Sequence, residues 1–258
     1  MTRIVAADNA ATRFSRTFTL ASFAQQRILL RNAAAARGRE SGDSMAAKVV
    51  TVAQQKGGAG KTTVAAHLAV ALAEMGHKVC VVDTDPQQSL AAWVRVRAAF
   101  GAGNVAIAVK AAPGWKAGSE IDRAKREADI VVVDSPPHTE STAKTAIRAA
   151  DLMLVPMQLS PMDMWATKPT LDLATSTKVP FLLVLNRVSP RGNLNEQVLR
   201  EIAKAAYPVA LARLGNRTAF AASLLDGLGV TESASKSPAA EEVRALAQEV
   251  VERFAARK

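Results

Sequence analysis

Residues 55–63, QKGGAGKTT, hold the densest chemistry in the chain. A glycine-rich turn that opens a helix aims backbone N–H groups at an anion. The pattern G-x-x-x-x-G-K-[ST] then adds a lysine for phosphate charge and a hydroxyl for Mg2+. Gly60, Lys61 and Thr62 supply the end of that pattern, while Gly57, Gly58, Ala59 and Thr63 complete the cradle. The first glycine is displaced, because position 55 is Gln55 and a second lysine, Lys56, stands directly behind it. Two acidic stretches accompany the loop: VCVVDTDPQQS carries Asp83 and Asp85, and ADIVVVDSPPH carries Asp134 after four apolar residues. Each carboxylate alone could also be a helix cap or turn residue. Together, at strand ends behind a phosphate loop, they point to one Mg-nucleotide site.

Such residues converge only if strands deliver them to one edge. From Lys48 onward, short β-branched runs alternate with longer helical patterns, which predicts βαβ units and a doubly wound, mostly parallel sheet with helices on both faces. Strands are expected near 48–54, 78–83, 104–109, 129–134, 151–156, 180–186 and 207–212. Helices are expected near 61–75, 87–99, 118–127, 140–149, 164–175, 193–205, 217–226 and 238–256. The strands are continuously apolar, as parallel strands covered on both faces must be. The phosphate loop therefore follows a strand and opens a helix, and the acids sit at strand ends.

QKGGAGKTT, DTDPQ and VVVDSPP, in this order, resemble the ParA/MinD family of deviant Walker A ATPases over residues 48 to about 235. AADLMLVPMQLSPMDMWAT, LNRVSPRGNLNEQV and NRTAFAASLLDGLGV are similar to the small ParA partition ATPases. The resemblance implies an ATP- and Mg2+-dependent hydrolase in which Lys56 reaches across a nucleotide-sandwich homodimer to the partner's phosphates. Lys61 would hold the nucleotide's own phosphates, Thr62 would bind Mg2+ with Asp83 beside its shell and Asp134 holding it through water, and Asp85 would orient the attacking water, a slow arrangement for a weak base. Asn186 and Arg217 match positions near the adenine. The family also implies an activating ParB-like or adaptor protein, a cytoplasmic and nucleoid-associated location, and nonspecific DNA binding. Arg191 and Arg217 are the DNA candidates, with Arg187, Arg200, Lys204 and Arg213 behind them.

Composition sets the outer limits. A chain of 258 residues with 49% hydrophobic residues suits one large globular domain, and a formal charge of +10 favours anionic partners such as nucleic acid or lipid headgroups. Residues 1–44 differ from the rest, with seven arginines, no lysine and three acids, and read as a disordered or leader-like extension or a start-site artefact ahead of Met45. Cys80 excludes an internal disulfide. Trp93, Trp115 and Trp165 are expected as core or helix-packing residues, Trp165 also as a dimer-interface candidate. A MinD-like membrane regulator is the alternative function. The last helix argues against it, since residues 239–258 carry four basic and four acidic groups and one narrow apolar stripe through Val243, Leu246 or Ala247, Val250 and Phe254.

Overall fold

The computed structural model describes residues 46–99, 101, 103–112, 114–137, 140–189 and 196–256. The Arg-rich segment 1–44 and the DNA candidate Arg191 lie outside the described residues. Six strands form one sheet: β1 Lys48–Val52, β2 Val79–Asp83, β3 Ile107–Ala111, β4 Ile130–Asp134, β5 Leu152–Met157 and β6 Phe181–Leu185. All pairs are parallel, in the order β3-β2-β4-β1-β5-β6. The chain starts in the middle and winds outward both ways, as a doubly wound sheet does.

Alternation along each strand divides the apolar residues between two layers. Val50, Val52, Val81 and Val132 face a core shared with α1 Lys61–Glu74, α2 Ser89–Ala99 and α9 Pro238–Ala255. Val49, Cys80, Val82, Val131 and Val133 face the other side, where α3 Ala117–Lys125 and α4 Glu140–Arg148 pack. Further along that side, Met153, Val155, Leu183 and Leu185 meet α5 Pro161–Thr177 and α6 Glu196–Lys204. Two short helices, α7 Thr218–Leu225 and α8 Val230–Ser233, complete the chain order before α9.

Register positions the chemistry. Asp134 of β4 is the partner of both Val52 of β1 and Asp83 of β2. The entry to the phosphate loop and two of the acids therefore stand side by side at the carboxyl edge of the sheet.

Four expectations need correction. Residues 207–212 form no ladder strand, only a bridge from Val209 to Leu183. Pro208 has no N–H to give, and the Leu211 N–H is taken by the Glu249 carboxylate at 2.8 Å. Helix α5 starts at Pro161, ahead of the expected 164, because Ser160 caps it by accepting from the Asp163 N–H at 3.1 Å with Pro161 pre-set for the first turn. Helix α8 was not expected at all. Trp93 is buried as expected, but Trp115 is 82% and Trp165 68% exposed.

The C-terminal helix agrees with its sequence. Ser237 accepts from the Ala240 N–H at 3.2 Å, and Val243, Leu246, Ala247, Val250 and Phe254 are all buried against the sheet. That stripe is thus not presented to a lipid surface. No helix among the described residues is long and apolar enough to cross a membrane.

Candidate nucleotide-binding site

Gly58 and Gly60 turn the loop with φ of +74° and +93°, backbone that favours glycine. Gly60 has a second reason: a Cβ there would meet the Asn186 Nδ2 at 2.5 Å. Helix α1 begins at Lys61 with no side-chain cap and no acidic residue in its first turn. Its N–H groups and positive dipole end are therefore not neutralised from within the helix, which suits an anion.

The carboxyl edge carries the matching groups. Thr62 Oγ1 donates to Asp134 Oδ2 at 2.6 Å, while Asp134 Oδ1 is buried without a hydrogen-bond partner. Burial pushes the Asp134 carboxyl up to about 7; the Thr62 hydrogen bond opposes the shift and the nearby charge of Asp83 adds to it. Lys61 is pulled below its ordinary value by burial, with Asp134 and then Asp85 acting in the opposite direction. Lys61, Asp83, Asp85 and Asp134 thus share one electrostatic cluster.

Asp83 is tied into the protein more firmly than a plain metal ligand. Its Oδ1 accepts from the Asp85 N–H at 3.1 Å and its Oδ2 from the Ala91 N–H at 2.9 Å, so it braces the turn into α2. Asp85 is half-buried and accepts from the Gln87 N–H at 2.9 Å, leaving Oδ2 for other partners.

These groups fit a magnesium ion. The Asp134 carboxylate keeps one buried oxygen unpaired while Thr62 Oγ1 bonds the other, and no cluster of three His, Cys, Asp or Glu that could cage a metal exists among the described residues. Mg2+ characteristically takes one or two protein oxygens and completes its octahedron with phosphate and water.

The displaced glycine has a structural explanation. The first half of the loop is fastened to one polar stripe of α5, at Asp163, Thr167 and Thr170, spaced four and three residues apart. Gln54 Nε2 donates to Thr167 Oγ1 at 2.8 Å, and Gln54 Oε1 accepts from Thr170 Oγ1 at 2.9 Å. The Gln55 N–H donates to Thr170 Oγ1 at 3.1 Å. Lys56 Nζ donates to Asp163 Oδ1 at 2.7 Å, within its own subunit and beside the exposed Met162 and Trp165. Sequence reading missed Gln54 and this stripe, whose only local signal was the SPMD cap.

Beyond Gly60 and Thr63, a cavity of about 480 Å³ opens between α1, α7, α9 and the end of β6. Asn186 lines it, but its Nδ2 donates to the Ala59 carbonyl at 2.8 Å and its Oδ1 accepts from the Arg187 N–H at 2.9 Å. The residue expected to read adenine therefore first supports the phosphate loop. Arg217 also lines the cavity, held by Glu242 at 2.6 Å. Arg200 and Lys204 pair with Glu196 at 3.5 Å and Glu201 at 2.7 Å on the exposed face of α6, and Arg187 is exposed at the cavity rim.

A parallel doubly wound sheet with a phosphate loop after its first strand and acids at two neighbouring strand ends defines a phosphate-loop nucleotide-binding protein. The model of the CobQ/CobB/MinD/ParA nucleotide binding domain matches residues 50–230, and the chain belongs to that family. It is 28% identical over 211 residues to the maintenance of carboxysome distribution protein A of Halothiobacillus neapolitanus, covering 78% of this chain and 95% of the relative. The protein of the same description from Gloeobacter kilaueensis is 33% identical over 198 residues, 74% of this chain and 87% of its own. Among solved structures, the septum site-determining protein MinD of Pyrococcus horikoshii OT3, complexed with Mg-ADP, superposes with a TM-score of 0.65 at 21% identity, covering 79% of this chain and 96% of that one.

Proposed function

We propose that this protein is a Mg2+-dependent ATPase that works as an ATP-gated dimeric switch, binds DNA nonspecifically and positions or segregates a cargo. The observation that carries the reading is the convergence of Lys61, Thr62, Asp85 and Asp134, with its unpaired buried oxygen, around the uncapped start of α1. The related carboxysome distribution proteins and the Mg-ADP complex of MinD support it.

In this reading the loop from Gly57 to Thr63 cradles the phosphates and Lys61 balances their charge. Thr62 and Asp134 hold Mg2+, with Asp83 bracing the neighbouring turn. The bound ion would neutralise charge that develops on the transferred phosphoryl group. Asp85 orients the attacking water; a carboxylate is too weak a base to strip it quickly, which suits a switch whose turnover depends on an activator. Lys56 acts in trans, so it must leave Asp163 when two subunits associate. Its position beside exposed Met162 and Trp165 supports that face as the one that meets a second subunit. The formal charge of +10 supports DNA as the surface on which the dimer is retained.

The test is DNA binding by the full chain with ATP and Mg2+, with ADP, and without nucleotide, at rising salt, in parallel with sedimentation. The expected result is a dimer only with ATP, whose DNA affinity falls steeply with salt. DNA binding that ignores nucleotide would sink the switch, and ATP-dependent pelleting with anionic vesicles in place of DNA would favour the membrane regulator.

A further inference from the structure

His67 has no role in the reading above, yet it is buried at the floor of the cavity, nearly two turns into α1 from the phosphate loop. Its Nδ1 accepts from the Val230 N–H at 3.1 Å, so that nitrogen carries no proton and Nε2–H is left to donate to the Phe220 carbonyl at 3.0 Å. Burial lowers its pKa to about 4, in keeping with a neutral ring. The ring also lies against the Phe220 ring, with centroids 5.2 Å apart. Phe220 belongs to α7 and Val230 opens α8, so one imidazole ties both helices to the helix that carries Lys61 and Thr62. The approach is close: a Cβ on Gly229 would come within 2.7 Å of Val70, one turn beyond His67.

We propose that His67 is a base-positioning residue. It ties α7, which lines the cavity, and α8 to α1 and so fixes the span between the phosphate loop and the place where a nucleotide base would lie. The inference rests on the nucleotide reading of this site. It makes phosphate binding and base binding separable, because the hydrogen bonds of the His67 ring go to Phe220 and Val230 and to no residue of the phosphate cradle.

The experiment compares wild type, His67→Asn and His67→Leu by calorimetry with Mg2+, using ATP and inorganic tripolyphosphate as probes. Asn keeps an acceptor near the Nδ1 position for Val230, whereas Leu leaves the Val230 N–H and the Phe220 carbonyl unpaired. The expected result is a loss of ATP affinity of about tenfold or more in the Leu variant and less in the Asn variant, as removal of buried hydrogen-bond partners implies. Tripolyphosphate affinity stays at the wild-type value in both. Parallel loss of both probes, which a general collapse of the site would give, overturns the inference, as does unchanged ATP affinity. Should the Leu variant not fold, the Asn variant alone decides by the same ratio. Wild-type protein that binds ATP no better than tripolyphosphate overturns the nucleotide reading itself, and the inference with it.

Discussion

Asp134 is an acid placed where its charge is least welcome: buried, beside Asp83, with one oxygen unpartnered. Because its pKa rises from 3.8 to about 7 on folding, the native state holds more protons than the unfolded chain over that range. Stability should therefore fall as pH rises through this window, and the full penalty should be present above it. Metal-free Asp134→Asn is expected to melt above wild type at pH 8, with the gap closing as pH falls toward 4. Thermal melts in chelator across that range check this. The same variant should lose the rise in melting temperature that Mg2+ and nucleotide give wild type. A penalty maintained in the resting protein is what a cation site predicts, since a bound ion removes it.

Helix α5 shows what an element can contribute that its sequence conceals. Thr170 accepts from one loop N–H and donates to Gln54, both in largely buried surroundings. Thr170→Val keeps the shape, strands the Gln55 N–H and leaves Gln54 Oε1 only the Lys56 N–H at 3.3 Å, so it should cost about 1–3 kcal/mol. Thr170→Ser should recover most of that, and urea denaturation of the three proteins measures it. The loop itself was legible because its signal is local: Gly60, Lys61 and Thr62 are consecutive, and each acid ends an apolar run. The polar stripe was not, because Gln54 and Thr167 are 113 positions apart and nothing in either neighbourhood names the other. Asn186 and Arg217 fall between these cases. Their place beside the site was legible, but their partners, the Ala59 carbonyl and Glu242, are set by packing of β6 and α9. Trp115 and Trp165 failed for a related reason, since size predicts burial only on average and not which helix face a residue occupies.

At the scale of the molecule, the base-side helices are joined to the rest by a buried ion pair. Arg97 at the end of α2 donates to Glu232 of α8 through both terminal nitrogens at 2.7 Å, and also to the carbonyls of Gly227 and Val105. Removing one member strands the other, so Glu232→Leu should destabilise by about 3–5 kcal/mol. The double variant Arg97→Met, Glu232→Leu should recover much of the loss, and a double-mutant cycle by denaturation checks it. Fold class at this scale followed from the alternation of apolar strands with helices, whereas the order β3-β2-β4-β1-β5-β6 is known only from the structure. The Arg97–Glu232 link did not, because its members lie 135 residues apart.

The alignment of Val52, Asp134 and Asp83 also sets what changes of length the chain can tolerate. Side chains along a strand change sides with every residue, and Asp134 shares the side of Ile130 and Val132, toward Thr62 on α1. Deleting one residue inside β4 would invert that parity, sending the carboxylate to the α3–α4 layer and Ser135 to the place it leaves. Substitution can weaken this site by degrees, but a deletion of one residue abolishes it outright, and a compensating insertion restores it only within the same strand.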